Sequence, residues 1–213
     1  MCALKNDDKG ILTITECSFI IVYMRVKDEN KKDAILSATI KMINEIGFAN
    51  VSMSKIAKAA GVSASTIYIY YENKEDMFKK IYIDVKTQML KASMEGISDT
   101  ESVKQSVWKF CENVLNFAKN HEDYFLFIGQ AGDSPVILTV KNQELLKLIQ
   151  KACSPFERGI REGILKNVSP ALLSGFCVYP ITQLYKDSCH QKDVLGEIDY
   201  EVVFEMCWDA IKK

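Results

Sequence analysis

The chain has 213 residues and a formal net charge of −1, with 48% hydrophobic and 26% charged residues. This composition is typical of a globular protein, and it excludes a disordered or fibrous chain and a global charge that would attract the whole protein to nucleic acid or a membrane. Binding of that kind must come from local clusters of charge, and residues 25–80 form the basic part, with ten Lys or Arg against seven Asp or Glu.

Cysteine use and hydropathy indicate the compartment. The seven cysteines are odd in number and form no CxxC pair, so they predict neither a disulfide framework nor a zinc site. A reducing cytoplasm is the simplest setting. The apolar run 19–24 is too short to span a bilayer, and the residues before it lack the features of a signal peptide. We therefore expect a cytoplasmic protein without membrane insertion, cofactor or bound metal.

Residues 1–24 differ from the rest of the chain. The stretch "GILTITECSFIIVY", residues 10–23, is rich in β-branched residues and favours a strand. Three interpretations are open: a tail that packs on the body, a disordered arm, or a start codon placed upstream of the true one at Met24. We expect the last, and we treat residues 1–24 as an extension of the folded protein.

From residue 30 onward the chain shows helical spacing interrupted by capping residues and glycines. Four helices fit before residue 97, and they begin at Asn30, Ser52, Ser63 and Asn73. The first, second and fourth of them end at Gly47, Gly61 and Gly96. Glycine is common there because it adopts the left-handed conformation that follows many helices. The apolar stripe of the first helix is Ile35, Ala38, Met42 and Ile46.

The remaining chain predicts further helices. Ser98 and Glu101 resemble a capping pair that opens a helix with the stripe Val103, Val107, Phe110, Val114 and Phe117. Residues 135–165 are mostly helical with a fresh start at Ser154, so they form either one kinked helix or two. Another helix runs from 170 to 185 with an interruption at Pro180, and Asp199 caps the last one. The predicted fold class is all-α, with about nine helices and no internal repeat.

The second and third helices have the spacing of a helix-turn-helix. Gly61 allows the sharp turn in "AAGVS", and Val62 fills the junction between the helices. If Val62, Ile67 and Tyr71 face the core, the third helix exposes Ala64, Ser65, Thr66, Tyr68, Ile69 and Tyr70. Two tyrosines and an isoleucine suit a DNA groove better than water. An Ala-Gly turn is, however, more often only a turn.

Neighbouring residues favour phosphate binding. Lys74 stands in the first turn of the fourth helix, where a cation typically costs about 0.3–1 kcal/mol. A phosphate beside it would explain the position, although Glu75 and Asp76 could also offset that cost. Ser52 and Lys55 lie on the first turn of the second helix, where free backbone N–H groups also suit a phosphate. Ser52 can equally be a plain helix cap.

The stretch "SMSKIAKAAGVSASTIYIYYENKEDMF" resembles the DNA-binding signature of the TetR (TetR/AcrR) family of bacterial transcriptional regulators. The resemblance extends through the preceding helix, and "GIREGILKNVSPALLSG" is similar to the junction of the family's seventh and eighth helices. It implies a homodimeric repressor of a palindromic operator in double-stranded DNA. A DNA-binding domain, residues 25–75, would be joined by the fourth helix to a ligand-sensing and dimerisation domain, residues 76–213.

The resemblance also implies roles for single residues. Phosphate contacts would fall to Thr66, Tyr68, Tyr70, Lys74 and Lys55, and base contacts to Ala64, Ser65 and Ile69. The full DNA-binding set implied is Ser52, Lys55, Ser63, Ala64, Ser65, Thr66, Tyr68, Ile69, Tyr70 and Lys74. Many members carry lysine at the position of Ala64 and a polar residue at that of Ile69. Apolar contact with thymine methyl groups should therefore dominate, and an AT-rich operator is expected.

Two further surfaces are expected in the C-terminal domain. A dimer interface would use Ala171, Ser174, Gly175, Phe204 and Trp208, which could instead pack the subunit's own core. A pocket for an unidentified small molecule would use Phe110, Cys111, Phe125, Phe156, Phe176 and Tyr179. Charged residues do not converge recognisably in this half, which favours a neutral or weakly polar, hydrophobic effector.

Three other functions compete with a ligand-responsive repressor. An enzyme is disfavoured because the chain has no GxSxG, HExxH or glycine-rich phosphate loop and only two histidines, so we expect no catalytic residue. A redox sensor would release DNA through a cysteine, although Cys111 and Cys177 fall on apolar segments. An activator of the same fold is the third.

Overall fold

A computed structural model of the protein describes the backbone of residues 14–132, 134–190 and 196–213. Side chains are described for residues 29–132, 134–189 and 196–213. These ranges contain eleven helices, and the pairing between Leu165 and Lys212 is an isolated bridge. The all-α prediction is confirmed. The chain divides into an N-terminal unit that ends at Lys74 and a C-terminal unit that begins at Glu75. None of the described helices combines the length and hydropathy needed to cross a bilayer.

The N-terminal unit contains three helices and the start of a fourth. They are α1 (Ile14–Asn50), α2 (Met53–Ala59), α3 (Ala64–Tyr70) and α4 (Lys74–Ser93), of which α4 continues into the C-terminal unit. Gly47 interrupts α1 with a φ of 74°, at the residue where the sequence predicts its end. The strand interpretation of residues 10–23 is wrong from Ile14 onward, because β-branched residues follow their surroundings more than their intrinsic preference. The interpretations of residues 1–13 lie outside the described residues.

The core of the N-terminal unit lies where α1 packs on α2 and α2 packs on α3. Its buried residues are Ile35, Ile40 and Ile43 of α1, Ile56 and Ala57 of α2, and Ile67 of α3. The buried stripe of α1 therefore lies on a different side of the helix from the predicted apolar stripe, and Ile46 of the predicted stripe is exposed. Thr39 takes a fully buried position because its hydroxyl donates to the carbonyl of Ile35 at 2.7 Å.

The turn between α2 and α3 closes through two backbone hydrogen bonds. The N–H of Val62 donates to the carbonyl of Ala57 at 3.0 Å, and that of Gly61 donates to Lys58 at 3.3 Å. This pair of bonds is the Schellman motif, which requires a left-handed residue after the helix. Gly61 supplies it with a φ of 66°, as the sequence predicts. The turn directs the chain into α3 without leaving the last carbonyls of α2 unpaired.

The C-terminal unit holds the rest of α4 and seven further helices. They are α5 (Val103–Asn120), α6 (Glu122–Gly132), α7 (Pro135–Leu138), α8 (Gln143–Ala152), α9 (Ser154–Arg161), α10 (Pro170–His190) and α11 (Tyr200–Ile211). Residues 135–161 thus form three helices rather than one or two, and the fresh start at Ser154 is confirmed. The interruption predicted at Pro180 is absent, since α10 continues through it. Asp199 caps α11 as predicted.

The predicted start of α5 is one turn too early. Ser102 caps the helix and forms a reciprocal capping box with Gln105, whereas Ser98 accepts a hydrogen bond from the N–H of Thr100 in the preceding turn. The predicted stripe of α5 is buried throughout. α5 packs against α10 and α11, and Phe110 meets Phe156 of α9 edge-on at 5.6 Å between ring centroids.

Candidate functional site

The third helix buries and exposes most of its side chains as the sequence predicts, but Thr66 and Tyr70, predicted to be exposed, are half-buried, as is Val62, predicted to face the core. Ile67 is fully buried and Tyr71, just after the helix, is also buried. Tyr68 is 55% exposed and Ile69 is 75% exposed, which is unusual for large apolar side chains on so short a helix. Ala64 and Ser65 are exposed as well. The exposed side of α3 is therefore apolar and aromatic at its C-terminal end and small at its N-terminal end.

Hydroxyl groups gather at the start of α3. Ser63 caps the helix by accepting a hydrogen bond from the N–H of Thr66 at 3.1 Å. Its hydroxyl also lies 2.8 Å from the hydroxyls of both Ser65 and Thr66. Each of these hydroxyls can turn to donate to a phosphate oxygen that approaches the exposed face.

The start of α2 presents a cap and a cation on the surface. Ser52 is the cap residue and accepts from the N–H of Lys55 at 3.3 Å. The Lys55 ammonium donates to the carbonyl of Asn50 at 3.0 Å and is exposed. Both residues of the predicted phosphate pair are therefore accessible, and the bond to Asn50 holds the lysine near the helix start.

Lys74 differs from its predicted role. Its ammonium donates at 2.8 Å to the carbonyls of both Phe48 and Val51, and it lies 4.3 Å from the centre of the Phe48 ring. The cation thus ties the end of α1 and the approach to α2 to the first residue of α4. A phosphate would have to draw the ammonium away from these carbonyls. These bonds support an assignment of Lys74 to the scaffold, and its predicted phosphate contact stays a prediction.

Tyr70, also predicted to hold a phosphate, is half-buried, with its ring 6.3 Å from that of Tyr71. Three of the predicted DNA-facing residues, Ala64, Ser65 and Ile69, share the exposed side of α3 with Tyr68. The exposed residues Tyr68 and Ile69, together with Ala64 and Ser65, are called the α3 face below.

A cavity of about 440 Å³ lies in the C-terminal unit among α4, α5, α6 and α10. Its lining residues include the apolar side chains of Met89, Val114, Phe125, Ile128 and Val178. Two of the six predicted effector residues, Phe125 and Tyr179, line it. Phe110, Cys111 and Phe156 are instead buried in the core, and Phe176 is exposed on the outside of α10.

Polar groups of the cavity come from α4 and α10. They are Tyr82 and Lys86 of α4, and Thr182, Gln183 and Lys186 of α10. Burial lowers the pKa of Lys86 and raises that of Tyr82. The expectation that charged residues do not converge in this half is wrong here, because two lysines line one cavity. The i, i+4 spacing of Tyr82 and Lys86 on α4 is the signal that could have indicated it.

The outer side of α10 and α11 carries a stripe of exposed apolar side chains. Its members are Leu172, Phe176 and Tyr179 on α10, and Val202 and Met206 on α11. Ala171 is exposed, and Ser174 and Gly175 are half-buried. Phe204 and Trp208, predicted for a dimer interface, are buried in the subunit's own core, where Phe204 lies 4.9 Å from the Trp108 ring. That corrects their assignment, and we call the exposed stripe the α10–α11 stripe.

The cysteines of the core do not have the properties of redox sensors. Cys111, Cys177 and Cys207 are buried and free. A hydrogen bond to Cys177, together with burial, raises the pKa of Cys111 well above its usual value, and burial raises that of Cys207 to about 11. Reactive cysteines need a lowered pKa, because the thiolate is the nucleophile. These thiols therefore belong to the core.

Comparison with known proteins connects both units to one family. Residues 35–81 match "Bacterial regulatory proteins, tetR family", and residues 103–212 match "Tetracyclin repressor-like, C-terminal domain". The HTH-type transcriptional regulator RutR of Escherichia coli (strain K12) is 25% identical over 188 residues, which are 86% of this chain and 87% of that protein. An HTH-type transcriptional regulator of Haemophilus influenzae is 24% identical over 201 residues, 89% of this chain and 100% of that protein.

Solved structures show the same similarity. The crystal structure of a TetR family transcription regulator from Marinobacter aquaeolei VT8 has a TM-score of 0.77 and 27% sequence identity, and the match covers 89% of this chain and 99% of that chain. A TetR-family transcriptional regulator from Haemophilus influenzae, at 22% identity and a TM-score of 0.69, shares the fold over 88% of this chain and 99% of its own.

The assignment of Lys74 to the scaffold gives a first prediction. Lys74→Met should lower the free energy of unfolding of the N-terminal unit by roughly 1–3 kcal/mol, because the carbonyls of Phe48 and Val51 lose a charged donor. Urea denaturation followed by circular dichroism measures this change. Lys55→Met is the matched control, since its lysine is exposed and its loss should leave the unfolding free energy nearly unchanged. A Lys74→Met protein as stable as the wild type would contradict the assignment.

Proposed function

Because the chain belongs to the TetR family of bacterial regulatory proteins, we propose that it is a homodimeric repressor that leaves a palindromic operator when a small molecule binds its C-terminal unit. The family and the relatives compared above are transcriptional regulators, not enzymes. The chain is thus a helix-turn-helix regulator of transcription, and its dimeric state, operator and effector are the parts proposed. A regulator of this kind acts on DNA in the bacterial cytoplasm.

The α3 face is the observation that carries the proposal. Tyr68 and Ile69 are exposed although their neighbours Ile67 and Tyr71 are buried, so the helix is oriented with an apolar side outward. The major groove accommodates an α-helix, and thymine offers a methyl group there that an aliphatic side chain can contact. Ile69 and Ala64 therefore suit AT-rich half-sites, and Ser65 can donate to either kind of base pair. Tyr68 suits a phosphate through its hydroxyl.

Phosphate contacts around this face would come from hydroxyl groups and one lysine. Ser63 and Thr66 carry hydroxyls at the start of α3, and Ser52 and Lys55 stand at the start of α2. Tyr70 is a further candidate through its hydroxyl. Such contacts fix the orientation of the protein on the duplex without reading its sequence.

The α10–α11 stripe supports a dimer. Its exposed apolar side chains recur every three or four residues on two helices that pack together, and such a surface is the kind that a second copy covers. Ala171 and the half-buried pair Ser174 and Gly175 allow close approach of a partner backbone at this position. Two copies of α3 would then read two half-sites related by the same two-fold symmetry.

The cavity supports a ligand-responsive regulator. It is bounded in part by α4, which begins at Lys74 and reaches the cavity at Tyr82, Lys86 and Met89. A ligand that prefers one position of α4 or α10 shifts the protein toward that conformation. Operator release follows only if the two conformations differ in affinity for DNA. The ligand then lowers the affinity for DNA by the same factor by which DNA lowers the affinity for the ligand.

Substitutions on α3 test the DNA contacts. After selection of the preferred operator from random duplexes, replacement of the half-site thymines by uracil removes their methyl groups. Wild-type affinity should then fall about fourfold for each methyl group lost, which corresponds to ~0.8 kcal/mol. Ile69→Ala should lose less affinity than the wild type when uracil replaces thymine, because only Ala64 is then left to contact the methyl groups. Tyr68→Phe should weaken binding to all sequences by a similar factor and keep the preference for thymine.

Fluorescence anisotropy at one fixed salt concentration measures these affinities, because phosphate contacts make them depend on salt. A GC-rich selected core, or equal sensitivity of wild type and Ile69→Ala to uracil, would contradict the assigned contact.

A charge in the α10–α11 stripe tests the dimer. Phe176→Lys should convert a dimer into a monomer with the chain mass of 24.1 kDa, because a lysine in an apolar interface loses its hydration without gaining a partner. Light scattering after size exclusion measures the mass. Leu146→Lys on α8 is the matched control, since Leu146 is 55% exposed and Phe176 is 54% exposed. An unchanged mass in both variants would place the interface elsewhere.

A further inference from the structure

We propose that the cavity takes an amphipathic organic anion, with its charged head group near Lys86 or Lys186 and its apolar body against Phe125, Ile128 and Val178. This inference rests on the proposed function, because it names the class of molecule that the ligand-responsive regulator would detect. It replaces the neutral effector that the sequence favours.

Lys86 is the main reason. It is partly buried on α4 and lines the cavity with Tyr82 and Met89, one turn before and almost one turn after it. Among the residues that the structure describes, none forms an ion pair or hydrogen bond with its ammonium. Its pKa is lowered by burial, so the site disfavours the charge as it stands. An anion in the cavity would remove that penalty and stabilise the ammonium.

Lys186 brings a second ammonium group to the same cavity from α10. It lies 5.4 Å from the centre of the Phe125 ring and next to Gly129 of α6. A Cβ atom on Gly129 would stand 2.6 Å from the Lys186 nitrogen, so the absence of a side chain there leaves room for the cation. The two lysines are held by different helices, and a ligand that contacts both would connect α4 with α10.

The remaining lining residues indicate the charge and the apolar character of the ligand. None of the described lining residues is an aspartate or glutamate, whereas the C-terminal unit as a whole is rich in both. The lining is otherwise mainly aliphatic and aromatic, and the volume of about 440 Å³ falls within the range of small-molecule sites. A cation would meet two lysines in a cavity whose described lining residues include no carboxylate, and a neutral molecule would leave the Lys86 ammonium unpaired. An amphipathic anion avoids both costs.

Decyl compounds that differ only in their head groups test the proposal on the full-length protein. The probes are decanoate, decyl phosphate, decanol and decyltrimethylammonium, each titrated calorimetrically below its micelle concentration. At least one of the two anions should bind on the order of tenfold or more tighter than decanol, and the cation should bind worst. Charge-assisted hydrogen bonds that become desolvated in a cavity account for this difference.

Two variants test whether Lys86 causes the preference for anions. Lys86→Met keeps the length of the side chain and should reduce anion affinity about tenfold or more, while decanol affinity changes less than about threefold. Lys91→Met is the matched control, because Lys91 is exposed on the same helix and does not line the cavity, and it should leave both affinities unchanged. Without a probe, Lys86→Met should melt at or above the wild-type temperature, because it removes a partly buried charge that has no partner among the described residues.

Decanol binding as tightly as the anions, anion binding unaffected by Lys86→Met, or no binding of any probe would each overturn the inference. Operator binding by the same preparations without a probe shows whether the proposed regulator stands independently of these outcomes. A protein that binds its operator but shows no preference for anions refutes only the ligand class. A protein that fails to bind any operator refutes the proposed function itself.

Discussion

Burial of Ile67 is the constraint on which the orientation of the α3 face depends. α3 has seven residues, which is just under two turns, so one fully buried side chain and the adjoining Tyr71 are enough to set its rotation. A rotation by one residue would place Tyr68 in the core and Ile67 in water. Because Ile67 occupies the core, Tyr68 and Ile69 must point outward, and the Gly61 turn delivers α3 to that position with its own hydrogen bonds satisfied.

Three lysines show how surroundings give one residue type different roles. The Lys74 ammonium donates to a carbonyl at the end of α1 and to the carbonyl of Val51 just after it, and these bonds join the two segments to the start of α4. Lys55 stands on the surface at the start of α2, where a phosphate can reach it. Lys86 lines a largely apolar cavity, where its ammonium forms no ion pair or hydrogen bond with the described residues. Lysines of one chain thus differ in burial and contacts, and the proposed function would use them for structure, for DNA and for sensing.

Local patterns account for what the sequence predicts well. Caps, glycines and helical spacing are short-range signals, so they locate α2, α3, the start of α9 and the cap of α11, and they divide Ile67 from Ile69 correctly. Ser98 and Ser102 are both serines that could cap α5. The reciprocal hydrogen bonds between Ser102 and Gln105 make Ser102 the cap. The acceptors of Lys74 lie 23 and 26 residues away, and the cavity combines lysines from α4 and α10. Contacts of this range depend on how helices pack, which local spacing does not determine.

Hydroxyl-radical footprinting of side chains tests most directly whether the α3 face is the surface that meets DNA. Oxidation of the full-length protein, read by mass spectrometry with and without its selected operator, reports the exposure of each side chain. Tyr68 and Ile69 should be oxidised readily in the free protein and several times more slowly on the operator, whereas Leu138, which is also exposed, should react equally in both states. Unchanged oxidation of Tyr68 and Ile69 in the operator-bound protein would contradict a role of the α3 face in DNA binding.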